Sequence, residues 1–173
     1  MSQTKSHQVD PDFLALPLAE VSDAAIQTGI SLGASHVDIR VERVRTGVLQ
    51  LRDTNPETQT DGSVSGIGVR VIVNGSWGFA SAPEISADKA RELAKVAVAM
   101  AKTSGPLSTE EISLAPEPIY AGKMWVSEYE IDPFDVPGAQ KIARLADLNS
   151  TLLKSPSVNF ASAFSMFVKE QKH

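Results

Sequence analysis

Between Leu14 and Leu32 apolar residues recur at three-, four- and seven-residue steps, at Leu14, Leu18, Val21, Ala25 and Leu32. That spacing gathers them on one face and predicts an amphipathic helix, with structure beginning near Pro17. Gly33 follows the last periodic position, where a left-handed residue ends many helices. From His36 the period drops to two. Val37, Ile39 and Val41 alternate with Asp38 and Arg40, and Val48, Leu49 and Leu51 lie beyond Gly47, which predicts a pair of strands or one bent strand. Arg52–Ser63, reading RDTNPETQTDGS, is dense in turn formers and charge and reads as an exposed loop. Over Val64–Val73, Ile67, Val69, Val71 and Val73 share one face of a strand, with Gly66, Gly68, Arg70 and Ile72 on the other. Asn74-Gly75 suits a tight primed turn, so Trp77–Ala82 is predicted to return antiparallel.

A second helix is predicted behind Ser86 as N-cap, with Asp88 in its first turn and a seam of Ala90, Leu93, Ala94, Ala97, Val98 and Ala101. Those small side chains allow close approach to a sheet. Gly105-Pro106 ends it, and Pro116, Pro118 and Pro133 favour extended, broken chain thereafter. A third helix is expected from Asp135 as cap to Lys154, burying Ala139, Ile142, Ala143, Ala146, Leu152 and Leu153. Ser155-Pro156 closes it. Val158, Phe160, Phe164, Met166 and Val168 then alternate with small or polar residues as a last strand. The sum is an α+β fold, a mixed and largely antiparallel sheet with a central hairpin, packed by about three helices. Residues 1–16 are expected to form a mobile lead-in and 17–173 one domain.

Composition narrows the function. The 173 residues are 42% hydrophobic and 21% charged, the profile of a globular chain. With no cysteine, thiolate metal sites, disulfides and cysteine nucleophiles are excluded within this sequence. A formal charge of −5 opposes attraction to phosphate backbones and anionic lipid, so neither direct nucleic-acid binding nor membrane binding is expected. There is no long apolar run and no signal layout near Met1, which makes a cytoplasmic location the expectation. Asn149-Ser150-Thr151 matches a glycosylation acceptor, but without a secretory signal it reads as a polar helix face.

Few residues carry chemistry. Gly66-Ile67-Gly68 lies inside a strand pattern, lacks the third glycine of a dinucleotide loop, and reads as close backbone packing. His7, His36 and His173 are scattered; His36, Asp38 and Glu42 share a strand face, which reads as solvated and not as a metal triad. Ser63 and Ser65 have no nucleophile elbow and no assigned base. Arg40, Arg43, Arg45 and Arg52, mixed with Glu42 and Asp53, read as a charged face that blunts a sheet edge. Arg70 shares its face with two glycines, so its guanidinium can stretch over bare sheet to a carboxylate of this chain or of a peptide. Trp77 and Phe79 share parity and anchor the hairpin either in the core or on a partner. Arg70, Trp77 and Phe79 are therefore the candidate peptide- or partner-binding residues. No catalytic or metal-ligating residue is assigned.

Three stretches, Gly33-Ala34-Ser35-His36-Val37-Asp38-Ile39-Arg40, Gly66-Ile67-Gly68-Val69-Arg70-Val71 and Asn74-Gly75-Ser76-Trp77-Gly78-Phe79-Ala80, resemble as a set the N-terminal domain of the TldD/PmbA family. The resemblance runs over roughly residues 18–173, and the Trp-Gly-Phe-Ala hairpin is nearer the TldD branch. It implies a cytoplasmic zinc metallopeptidase acting on unfolded or small peptides, assembled as a homodimer or TldD/TldE heterodimer, with an older name linking it to DNA gyrase modulation. The family's His-Glu-x-x-x-His helix and distant cysteine ligand do not occur here, so zinc is expected in a C-terminal domain beyond these residues and this chain is expected to be inactive alone. Scaffold, peptide-channel and dimerisation roles remain, with the alternative of a non-enzymatic adaptor module that pairs with a full-length relative.

Overall fold

Alternation, primed-turn chemistry and an alanine seam build the first half of the chain almost as the sequence predicts. The computed structural model describes residues 8–107 and 109–173. In chain order the elements are α1 (Pro11–Leu14), α2 (Leu18–Ser31), β1 (His36–Arg52), β2 (Asn55–Val73), β3 (Ser76–Ala82), α3 (Ala87–Ser104), a 3-10 turn (Gly105–Leu107), α4 (Gly138–Leu153) and β4 (Ser162–Lys172). The strands form one sheet in the order β3-β2-β1-β4. Every neighbouring pair is antiparallel: β1 and β2 are joined by a two-residue turn, β2 and β3 pair from Ile67↔Ala82 to Val73↔Ser76, and Val41 and His173 exchange both backbone bonds at 3.0 and 2.9 Å. The α+β class is as expected.

The residues fall into two compact units. One comprises the chain up to Arg43, Val64–Val126 and Gln171–His173; the other comprises Val44–Ser63 and Ser127–Glu170. In the first unit Ile67, Val69, Val71 and Val73 are all buried, as is the whole predicted seam of α3. Ser86 caps α3 by accepting the Lys89 amide at 3.2 Å. Gly78 shows how close the helix comes, because a Cβ there would overlap the Ala97 carbonyl oxygen. Asn74 and Gly75 both adopt positive φ, 49° and 71°, the primed turn that their chemistry favours. Gly33, at φ 94°, follows the end of α2.

The lead-in differs from expectation. Residues 1–7, His7 included, lie outside the described residues, but structure begins well before Pro17. Asp10 caps α1 by accepting the Asp12 amide at 2.9 Å, Pro11 preorganises the first turn, and Phe13 is 1% exposed in the core. Val9 and Leu16 pack beside Phe13 against the core, so these apolar side chains tie the segment down.

The second unit departs further. Arg52–Ser63 is no loop: Asp53, at φ 54°, turns the chain with Thr54, and Asn55 opens β2. β3 pairs only with Ile67–Val73, so Pro56, which lacks an N–H, sits in a part of β2 where that strand makes no demand. β1 runs through Gly47 unbroken. α4 begins at Gly138 behind Pro137, not at Asp135, because Asp132 organises the preceding turn: its carboxylate accepts the Phe134 amide at 2.8 Å and its carbonyl the Asp135 amide at 3.0 Å. Its apolar seam is only half covered, and the buried residue is Asn149, 1% exposed, which donates to the Asp53 carbonyl at 2.6 Å. The polar helix face expected there is an internal anchor. β4 alternates as predicted and stops within the charged 169–173 stretch, but it begins only at Ser162, leaving Val158 and Phe160 outside it, and its apolar side is the exposed one.

Candidate functional site

The outer face of the sheet in the first unit gathers the three candidate residues. On β2, Arg70 lies opposite Phe79 and two residues from the Ile72↔Trp77 pair, which puts Trp77 on its diagonal. The guanidinium carbon stands 5.2 Å from the Trp77 ring centre. Phe79, half exposed, extends over Gly68, with its ring edge 3.2 Å from where a Cβ would stand. Gly68 therefore makes the shelf on which the ring rests.

From β1, Asp38 completes the arrangement. Arg70 grips it with Nε at 3.0 Å from Oδ1 and Nη2 at 2.9 Å from Oδ2, a bidentate fork. His36 Nε2 lies 3.2 Å from the same carboxylate, and its ring meets Trp77 edge to face at 6.1 Å. Of the two readings of Arg70, the in-chain carboxylate is the one realised. Trp77 and Phe79 belong to the outer face, not to the core. An ion pair this exposed contributes about 0.2–1 kcal/mol, and a cation over an aromatic face about 0.5–1 kcal/mol. The cluster is therefore a preorganised polar-aromatic surface more than a stability device. β3, which carries both rings, is an edge strand whose outer backbone groups have no sheet partner among the described residues.

The second unit holds a separate cleft of about 460 Å³, lined by Gly47, Thr60, Phe134, Pro137, Lys141 and Phe167 among others. Phe134 and Phe167 meet edge to face at 6.4 Å, and neither was singled out from sequence. Arg45 grips Asp61 at 2.8 and 2.7 Å while standing 4.3 Å over Phe134, and Lys141 stands 4.4 Å over Phe167 while donating to the Pro133 carbonyl at 2.6 Å. The Arg45 hydrogen bond holds the Asp61 carboxyl below its usual range. Burial opposes ionisation of Asp132, but the Lys169 ammonium at 2.7 Å and the Phe134 amide outweigh it and lower that carboxyl too. The cations are thus largely engaged in shaping the walls.

The remaining candidates disperse. Gly66 and Gly68 stay within β2, and a Cβ on Gly66 would come 2.8 Å from the Ala82 carbonyl oxygen, which is the close backbone packing expected. Arg43 pairs with Asp10 at 3.5 Å, and Lys172 stands 3.6 Å from Glu42. Ser63 and Ser65 lie within β2. Among the described residues no group of three or more His, Cys, Asp or Glu side chains is placed to hold a metal ion, so these residues do not fit a zinc centre. No helix among them is long and apolar enough to cross a membrane.

Comparison with known proteins follows this geometry. Residues 37–101 match the family described as PmbA/TldA metallopeptidase domain 1, a span containing the whole polar-aromatic cluster except His36. The sequence is 28% identical over 137 residues to a metalloprotease of Methanocaldococcus jannaschii, covering 75% of this chain and 29% of that protein. It is 29% identical over 140 residues to a metalloprotease of Methanothermobacter thermautotrophicus, covering 81% of this chain and 27% of that one. The chain thus spans less than a third of the length of either relative. In fold it is similar to a candidate modulator of DNA gyrase from Bacteroides thetaiotaomicron, with TM-score 0.65 and 15% identity over 89% of this chain and 35% of that one. It is also similar to TldE from Thermococcus kodakarensis, with TM-score 0.62 and 18% identity over 88% of this chain and 34% of that one.

Proposed function

We propose, from the match of residues 37–101 to PmbA/TldA metallopeptidase domain 1 and the similarity to two archaeal metalloproteases, that the chain handles peptide for a peptidase whose chemistry resides elsewhere. The observation behind this reading is the pairing of an edge strand with a rigid aromatic shelf on one element, β3. An extended peptide adding to β3 would be held by backbone hydrogen bonds whatever its sequence, while Trp77 and Phe79 offer contact to every second side chain. Such recognition selects for unfoldedness, which suits small peptides and unfolded protein segments as substrates.

Zinc belongs, on this reading, to residues outside this chain, and no catalytic step is assigned to any residue here. A family subunit, in a homodimer or heterodimer, is the partner, and a cysteine-free composition suits a cytoplasmic location. The alternative of a non-enzymatic adaptor pairing with a full-length relative draws on the absence of a metal-binding cluster among the described residues. Titrating the labelled chain with an unfolded peptide and following backbone amide shifts tests the primary reading. Shifts concentrated on residues 64–82 are expected, and none there would reject it. Stoichiometric zinc with peptidase activity in this chain alone would overturn both readings.

A further inference from the structure

The hairpin fixes which backbone groups of β3 are available to a further strand. A two-residue primed turn at Asn74-Gly75 makes Val73↔Ser76 a hydrogen-bonded pair, and bonded pairs then alternate with non-bonded ones along the ladder, recurring at Val71↔Gly78, Val69↔Ala80 and Ile67↔Ala82. The amides and carbonyls of Trp77, Phe79 and Ser81 therefore point away from β2. Two contacts bear out this parity. The Trp77 carbonyl accepts from the Ser104 hydroxyl at 3.5 Å, and the carbonyl of Ile72, opposite Trp77, turns to the far side of β2, where it accepts the Ser35 amide at 2.8 Å.

The same edge has a second wall. α3 runs antiparallel to β3, because its Ala97–Ala101 turn sits on Gly78 while Gly105 lies beside Ser76. On one flank of α3, Lys102 reaches the Leu32 carbonyl at the end of α2 at 3.2 Å. α2 in turn presses Gly29 against Val37 of β1, so that flank looks towards the middle of the sheet. Val96 and Met100 lie about 100° round the helix from Ala97 and Ala101 in the opposite sense, which sets them over the free edge of β3. They are 45% and 50% exposed. Four residues of helix rise about 6 Å and two residues of strand about 6.8 Å, so Met100 and Val96 match the step between alternate side chains of a strand laid along β3.

We propose that the groove between β3 and α3 sets the side-chain preference of the bound peptide, taking an extended segment with aliphatic side chains at two successive alternate positions, against Met100 and Val96. This rests on the peptide-handling role proposed above. The added strand runs antiparallel, as every other pair in the sheet does. Its residues opposite Trp77, Phe79 and Ser81 exchange both backbone bonds with them and turn their side chains to the outer face, beside the two rings. The intervening residues bond nothing on β3 and turn their side chains towards α3, where the adjoining positions of β3 are the small Gly78 and Ala80. Met100, unbranched and polarisable, adapts to aliphatic side chains of different shape.

One probe, the peptide Lys-Thr-Leu-Thr-Leu-Thr-Lys, added to the amide-labelled full chain, tests the groove separately from the role. Its threonines face β3 with their backbone and its leucines face α3 with their side chains. Methylating the backbone nitrogens of the threonines should weaken binding about tenfold or more, whereas methylating those of the leucines, which point away from β3, should change it by less than about threefold. Met100→Lys should weaken the parent peptide about fivefold or more and favour a version with glutamate in place of the leucines. Met100 is half exposed on a helix, so the circular dichroism of this variant should match that of the parent. Equal sensitivity to the two methylations, or indifference to Met100→Lys, with amide shifts still on residues 64–82, would overturn the groove and leave the peptide-handling role standing. No shifts on those residues would overturn both.

Discussion

Replacing Asn149 by alanine removes the only buried residue of α4 and, with it, the amide that donates to the Asp53 carbonyl at 2.6 Å. Asp53 is a hub. It holds φ at 54°, donates its amide to the Ala161 carbonyl at 2.7 Å, and accepts the Ala161 amide on its carboxylate at 2.9 Å. Its remaining polar group depends on Asn149. A part-buried acceptor left without its donor costs up to about 1–3 kcal/mol, and the small cavity left by the truncated amide adds about 1 kcal/mol. Urea unfolding of Asn149→Ala should therefore show a loss of about 2–4 kcal/mol, with an unchanged slope if the unfolded state is unaffected. Asn149→Asp has nearly the same volume but points an ionised acceptor at a carbonyl, so it should cost more at neutral pH. Burial against that carbonyl would raise the new carboxyl's folded-state pKa, and the deficit should narrow as acid restores a proton to donate. A loss under about 0.5 kcal/mol in both variants would refute the assignment of Asn149 as the internal anchor.

Gly78→Ala should destabilise by about 1–3 kcal/mol in the same assay, because its Cβ meets the α3 backbone, whereas Gly62→Ala, with nothing within 4 Å, should lie within about 0.5 kcal/mol of the parent. The folded state lowers the Asp132 carboxyl below its ordinary 3.8, so its contribution is complete above that pH and is lost as the pH falls through the folded value; Asp132→Asn should flatten acid unfolding below about pH 4. Arg70→Ala should change stability by at most about 1–2 kcal/mol, since it breaks an exposed pair, but should weaken peptide-induced shifts on β3 by releasing Trp77 from its cation.

How far the sequence foretold the molecule depends on where burial and local chemistry agree. In α3 every buried position is apolar and falls on one helical stripe, and in the β2–β3 hairpin the valines and Asn-Gly state both the face and the turn. There, periodicity alone suffices. Residues 55–63 carry polar side chains on both faces, so their strand character comes from pairing with β1, which no local window contains. Phe13 and Asn149 were missed for a related reason: each is a single residue whose burial is decided by distant chain. At the outer-face cluster, the parity of Trp77 and Phe79 was readable. The Asp38 partner of Arg70 was not, because it lies 32 residues away and is brought near only by the strand order.

β4 gives the sharpest instance of the gap between pattern and placement. Alternation states that two faces differ, yet it does not say which face meets the protein's own core. Ordinarily hydrophobicity settles that choice, because turning the apolar side outward forfeits about 25 cal/mol for each Å² left in water. Here Phe167 occupies the inner side, where Phe134 and the bare backbone of Gly47 leave room for a ring, and the three apolar residues of the other parity face outward as a consequence. A sequence that keeps Phe164, Met166 and Val168 outside therefore bears a free-energy cost that the packing of Phe167 on the inner side must outweigh.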